Sequence, residues 1–245
     1  MEKYYTFERL NNDKVLSLYS KRPMNCNIDV IGVEGKKKLI EEIEKDFNYK
    51  FKKVRGSKFQ VHGSDIEVIR DIDQEANNVD GLLTNLKGVA LEIRTADCQS
   101  IFLYDPKKEA IGNIHSGWKG TYQQIIVKAI NKMIEEYESN IEDIEVYINP
   151  SILGCCFEVQ DDVIEKFREI CDVEEYYTLG DVVEGKQKYY LDTVAINYDK
   201  LVELGIKKEH IFLSNICTMC HKDEYYSYRG DNRTDCRNIS IICLK

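Results

Sequence analysis

Two imidazoles and a thiol, His62, Cys98 and His115, carry the chemistry most worth following along this chain. Cys98 follows the apolar run Val89 to Ile93, and His115 follows Ala110 to Ile114. His62 ends the short alternating segment Lys58 to Val61 and is followed by Gly63. Strand ends are where side chains from neighbouring strands converge, so the three together make a three-ligand metal set. Catalytic zinc typically takes three protein ligands and keeps a fourth position for water or substrate, and a mixed Cys/His shell suits its borderline softness. The separations are too wide for a finger or a ribbon, so only the fold can assemble the set. The competing reading makes Cys98 a small buried hydrophobe and each histidine a hydrogen-bonded structural residue. Gly63, Gly117 and Gly120 favour the site, because glycine lets a ligand or another backbone approach closely.

Around this set lie residues with supporting chemistry. Asp97, beside Cys98, either orients a ligand from behind or caps a turn. Lys119-Gly120-Thr121 opens the helix expected from Thr121 to Tyr137, where free N–H groups and the helix dipole attract a phosphate or carboxylate. Arg229, Arg233 and Arg237 fall in a polar, tyrosine-rich stretch from Asp223 to Asn238. Read simply, this is a surface loop; folded over a cleft, its arginines would bind phosphate or ribose while Tyr226 and Tyr228 stack on a base. Cys217-Thr-Met-Cys220-His221 matches a haem-attachment pattern and a redox dithiol. The first needs export, for which there is no signal, and the second needs a strand–helix context that is missing. Cys155-Cys156, in Ile-Leu-Gly-Cys-Cys-Phe, reads as buried packing.

The elements that must position these residues are strands interleaved with helices. Strands are expected at Lys14–Tyr19, Lys58–Val61, Asp65–Ile69, from Gly81 to Thr84, and at Val89–Ile93, Ser100–Tyr104, Glu109–Ile114, Glu145–Ile148, Ile211–Leu213 and Ile239–Leu244. Helical spacing of apolar residues marks Gly35–Phe47, Thr121–Tyr137, Asp161–Ile170 and Thr193–Leu204. No Pro/Gly/Ser linker, repeat or low-complexity tract divides the chain, which predicts one mixed α/β domain over residues 1–245 with a central β-rich core flanked by helices. A chain of 245 residues can bury its own core without staples. Acidic residues outnumber basic ones by 43 to 34, for a formal charge of −9, which argues against a nucleic-acid binder. With no apolar N-terminal segment and no window of about 18 apolar residues, neither a leader nor a membrane partner is expected. Nine cysteines then fit a reducing, cytoplasmic setting.

Several ordered motifs carry a family resemblance: Gln60-Val61-His62-Gly63, Asp80-Gly81-Leu82-Leu83-Thr84, Thr95-Ala96-Asp97-Cys98, His115-Ser116-Gly117-Trp118-Lys119-Gly120, Gly154-Cys155-Cys156-Phe157-Glu158-Val159 and Tyr226-Ser227-Tyr228-Arg229. Over residues 58–245 the chain resembles the laccase-domain family of YfiH type, with a divergent part before residue 58. The resemblance implies one zinc per chain on His62, Cys98 and His115, and a link to purine nucleoside phosphorolysis and adenosine deamination; some members are tied instead to peptidoglycan-precursor editing. It also aligns Arg22, after Ser20-Lys21, with the family's arginine-bearing strand end. Departures are Lys119 where the family has arginine, which keeps charge but loses the bidentate fork, Arg229-Gly230 in place of an arginine pair, and Thr234-Asp235-Cys236-Arg237 in place of Thr-Gly-Arg.

The expected function is therefore a zinc-dependent purine nucleoside phosphorylase acting on adenosine or inosine, with deamination of adenosine as a further activity. Its partners would be a small-molecule nucleoside and phosphate. Cys98, His115, Asp97 and Lys119 are the candidate catalytic residues; Arg22, Lys119, Arg229 and Arg237 are the candidate phosphate and substrate contacts. No His-x-Glu motif places a general acid beside the ligands as in known zinc deaminases. Copper fits less well: a trinuclear cluster needs many imidazoles, and this chain has four histidines in all. A zinc- or cysteine-dependent amidase, with Cys98 as nucleophile and His115 as base, and a non-catalytic zinc-binding partner protein are the alternatives.

Overall fold

The computed structural model describes residues 2–245, and its strands fall into three sheets. In chain order the elements are β1 (Tyr4–Tyr5), β2 (Val15–Ser20), α1 (Ile28–Asp46), β3 (Lys53–Gly56), β4 (Ile66–Val68), β5 (Gly81–Thr84), β6 (Val89–Thr95), β7 (Gln99–Asp105), β8 (Ala110–Ser116), α2 (Trp118–Tyr122), α3 (Ile125–Tyr137), β9 (Glu145–Ile148), β10 (Glu158–Val159), α4 (Asp161–Arg168), β11 (Tyr177–Val183), β12 (Lys186–Leu191), α5 (Thr193–Leu204), β13 (Ile211–Leu213) and β14 (Asn238–Leu244). One sheet runs β1-β2-β14-β6-β3, a second β13-β9-β7-β8-β5-β4, and a small third β10-β12-β11. No helix among the described residues is long and apolar enough to cross a membrane.

The two large sheets pack face to face. Leu91, Ile242 and Leu244 of the first meet Phe102, Tyr104, Ile111 and Tyr147 of the second. The outer face of the first sheet is covered by α1, through Leu39 and Ile43 against Leu16, Leu18, Ile239 and Ile241. The outer face of the second takes α3 and α5: Ile125, Ile126, Ala129, Ile130 and Met133 cover Ile101, Leu103 and Ile114. With both faces covered, the central strands β7 and β8 are buried along their whole length, which is why their sequences run nearly continuously apolar instead of alternating. A polar seam nonetheless crosses the sandwich, where Ser100 Oγ donates to Ser240 Oγ at 2.6 Å and Asn113 donates to the Leu91 carbonyl at 3.0 Å. The expected mixed α/β domain, β-rich at its centre and flanked by helices, is the observed architecture.

Three expectations shift. The predicted strand at Lys58–Val61 is irregular, and the strand lies earlier, at β3. Instead the Gln60 side-chain amide docks on β6, accepting from the Arg94 N–H and donating to the Arg94 carbonyl, each at 2.9 Å. The helix expected from Thr121 divides into α2 and α3 at Gln124, which adopts a left-handed conformation (φ 56°, ψ 43°). The hairpin β11–β12 was not expected.

Register brings one end of the second sheet into a common edge. β5 pairs with β8 so that Gly81 faces Ile114, and β7 pairs with β8 so that Gln99 faces Ser116 and Ser100 faces His115. Asp80, just before β5, and Cys98, just before β7, therefore flank His115 near the end of β8. β4 runs parallel to β5 with Ile66 beside Gly81, which delivers the His62–Asp65 loop to the same edge.

Candidate metal centre

His62, Cys98 and His115 each offer a ligand atom, and these atoms lie within 4.8 Å of one another. The rings of His62 and His115 meet edge to face at 4.8 Å between centroids. The loop before β4, the turn before β7 and the last residues of β8 supply the three residues, as the register above dictates. His115 is buried, Cys98 half-buried and His62 exposed, so the cluster opens outward past His62.

Asp80 builds the back wall of the centre, and the sequence showed it only as part of an Asp-Gly turn. Its carboxylate is fully buried and lies 2.7 Å from His115 Nδ1. The same carboxylate accepts the backbone N–H groups of Val61, His62 and Gly63 at 3.2, 3.0 and 2.7 Å. Burial works against the charged carboxylate, yet the His115 hydrogen bond and the Gly63 and His62 N–H groups outweigh it and hold its pKa below the usual carboxylate value. An ionised Asp80 can only accept, so His115 Nδ1 carries the proton and donates, leaving Nε2 as the donor atom facing Cys98. The three N–H contacts also hold His62 in the left-handed region (φ 57°), where a side chain other than glycine needs such support.

The donor set fits a tetrahedral zinc-type ion. Bonds of about 2.0–2.3 Å to nitrogen and sulfur place ligand atoms about 3.3–3.8 Å apart, inside the observed spread. Gly117 makes room for this: a Cβ there would stand 3.1 Å from Cys98 Sγ and 3.2 Å from the His62 ring. Without a metal, burial pushes the Cys98 thiol up, but the charge and hydrogen bonds of His115 and His62 outweigh it and bring its pKa to about 6. Burial lowers the His115 pKa, but the Cys98 charge and the Asp80 hydrogen bond bring it up to about 9. Thiolate and imidazolium thus stabilise each other at the spot a cation would occupy.

The other expected residues are placed as follows. Asp97 adopts φ 89° and gives one carboxylate oxygen to Thr218 Oγ1–H (2.7 Å) and the other to the Arg229 N–H (2.7 Å); it ties two loops to the centre and does not touch the ligands' hydrogen-bonding atoms. Lys119 is exposed in the five-residue α2, with its ammonium 5.7 Å from the Trp118 ring centroid. It stands one turn before the long helix instead of at its N-terminus, because Gln124 interrupts the run. Arg229 reaches back to the Glu158 carbonyl at 2.9 Å and lies over Phe157. Arg22 is engaged by Asp231 and the Tyr225 carbonyl and lies over Tyr226. Arg237 donates to the Thr234 and Cys236 carbonyls. Tyr226 is buried, its hydroxyl donating to the Pro23 carbonyl, so it is a packing post and not a platform for a base; Tyr228 is exposed. Of the other histidines, His221 Nδ1 lies 3.1 Å from the Cys217 carbonyl, and neither it nor His210 joins the cluster among the described residues.

Cys155, Cys156, Cys217 and Cys220, read separately from the sequence, also come together. Two of them, Cys155 and Cys220, are exposed, against the expectation of buried packing for the Cys155-Cys156 pair. Side chains 65 residues apart give no signal in a linear reading until the fold pairs their turns.

Comparison with known proteins places this chain in a family. A family model described as multi-copper polyphenol oxidoreductase laccase matches residues 36–245. A purine nucleoside phosphorylase of Clostridium acetobutylicum is 32% identical over 98% of this chain and 97% of its own length. An adenosine deaminase, RL5, from an unknown prokaryotic organism is 33% identical over 65% of this chain and 61% of its own length. The crystal structure of a hypothetical protein YfiH from Bacillus licheniformis superposes with a TM-score of 0.83 and 25% identity, covering 94% of this chain and 93% of that one. Motifs, fold and relatives agree, and the chain belongs to the laccase-domain family of YfiH type.

Proposed function

We propose that this chain is a metal-dependent purine nucleoside phosphorylase that converts adenosine or inosine and phosphate to the free base and ribose 1-phosphate, and that the same centre deaminates adenosine. The observation that carries the reading is the His62–Cys98–His115 donor set, held from behind by Asp80 and open past His62. Relatives named as purine nucleoside phosphorylase and adenosine deaminase support it. A divalent ion on this set, zinc by the softness of its donors, supplies Lewis acidity toward substrate or water. Asp80 fixes the His115 ring and tautomer. Lys119, exposed and two residues beyond Gly117, is a cation placed to meet phosphate, and the Arg229 guanidinium, over Phe157, is a second candidate. Arg22 and Arg237 shape the surrounding loops through the contacts described above. Nine free thiols suit a reducing, cytoplasmic setting, and small molecules are the only partners the reading requires.

The test is anaerobic incubation of metal-replete protein with a nucleoside panel, with and without phosphate, resolved by chromatography. Free base should form from adenosine or inosine only when phosphate is present. Lys119→Ala should raise the phosphate concentration needed while leaving metal content unchanged; unaltered phosphate dependence would remove Lys119 from the site.

One observation favours a second reading. Cys98, His115 and Asp80 also form a thiol–imidazole–carboxylate relay of the kind that activates a nucleophile, which suits an amidase acting on a peptidoglycan precursor. Amide hydrolysis by metal-stripped protein, abolished by alkylating Cys98 and accompanied by inertness toward nucleosides, would establish it.

A further inference from the structure

The turn after β9 and the turn after β13 lie side by side, joined by a parallel bridge between Ser151 and Cys217. The first carries Cys155 and Cys156, the second Cys217 and Cys220, and all four Sγ atoms lie within 4.8 Å of one another. Cys155 and Cys156 stand 3.7 and 3.4 Å from Cys220 sulfur to sulfur. Sulfurs bonded to one tetrahedral zinc at about 2.3 Å are about 3.8 Å apart, whereas a disulfide brings them to about 2.05 Å. The observed spacing excludes a disulfide between these pairs and suits sulfurs that share one metal ion.

Two further features point the same way. Backbone N–H groups of Leu153, Met219 and Cys220 are directed at the Cys217 sulfur, an arrangement that stabilises the negative charge of a ligating thiolate. Cys217-x-x-Cys220 has the two-residue bite common in structural zinc sites. We infer that Cys155, Cys156, Cys217 and Cys220 form a second metal centre, a closed four-sulfur shell for a soft divalent cation such as zinc, separate from the His62–Cys98–His115 set.

A shell with four protein ligands leaves no position for substrate, so the role is structural. Its place explains the use. The first turn donates the Ile152 N–H to the Asp97 carbonyl at 2.8 Å, and the second donates the Thr218 hydroxyl to the Asp97 carboxylate at 2.7 Å. Clamping the two turns together fixes the left-handed Asp97 and with it the neighbouring ligand Cys98. The chain therefore takes two metal ions, one on each set.

The test uses the full chain, reconstituted with zinc under anaerobic, reducing conditions and checked for folding by circular dichroism. Metal analysis should give two zinc ions per chain for the unaltered protein, one for a His62→Ala/His115→Ala variant and one for a Cys155→Ser/Cys220→Ser variant. With cobalt(II), the histidine variant should keep intense thiolate-to-metal absorption and the cysteine variant should lose most of it. In the unaltered protein, zinc should protect all four cysteines from iodoacetamide, read by peptide mass spectrometry, which keeps the test valid if either variant misfolds. Equal alkylation with and without zinc, a folded histidine variant that binds no metal, or a disulfide among the four thiols in the zinc-treated protein would overturn the inference. None of these readouts depends on nucleoside turnover.

Discussion

Asp80 governs the centre without being one of its ligands. Four hydrogen bonds converge on one buried carboxylate, so a single side chain sets the His115 tautomer and the path of the His62 loop. Asp80→Asn keeps the shape but removes the charge that receives the Nδ1 proton. Metal affinity, measured by competition with a chromophoric chelator, should fall about 10- to 100-fold; unchanged affinity would mean the ligands need no such support. Gly117→Ala tests the space in front of the ligands. Its Cβ would stand 3.1 Å from Cys98 Sγ, so the variant should fold yet retain markedly less metal on the His62–Cys98–His115 set, as a metal assay on a Cys155→Ser/Cys220→Ser background would read. At this scale the ligands were legible in the sequence because histidine and cysteine carry their chemistry in their type and had glycines close by. Asp80 was not, because Asp-Gly reads first as a turn and its four partners meet only in the fold.

Elements were legible where burial imposed a period. α5 was expected at its observed bounds, since its apolar face is continuous, Asp192 caps its start through the Val194 and Ala195 N–H groups, and Gly205 ends it in a left-handed conformation. The break between α2 and α3 was hidden because Gln124 is neither proline nor glycine. Its left-handed backbone costs about 1–2 kcal/mol. Gln124→Gly should therefore raise stability by about 0.5–1 kcal/mol after the extra chain entropy of glycine is deducted, read as a higher denaturation midpoint at unchanged slope. A lower midpoint would show that the Gln124 side chain contributes more than its backbone costs. The hairpin β11–β12 escaped notice for the opposite reason: β11 is largely exposed and has no buried alternation to reveal it.

For the molecule as a whole, four layers, α1, two face-to-face sheets and the α3/α5 pair, hold a sheet edge still while β8 and the segments leading into β4, β5 and β7 supply chemistry to it. The layers follow from hydrophobic patterning, but the meeting of distant loops depends on register, which one sequence does not disclose. Because metal binds only the folded chain, its removal should lower the melting temperature, and added zinc should restore it in a concentration-dependent way; saturation at about a hundred times the dissociation constant corresponds to about 2.7 kcal/mol. A melting temperature indifferent to chelator would show that neither thiolate cluster contributes binding energy to the fold. The account rests most heavily on an ion held by His62, Cys98 and His115. Anomalous diffraction at the zinc edge from crystals of the zinc-loaded chain tests this directly: a peak about 2.0–2.3 Å from an imidazole nitrogen of each histidine and from Cys98 Sγ, with one further position taken by a non-protein ligand, is the predicted result, and anomalous density confined to other sites while these three side chains stand apart would contradict it.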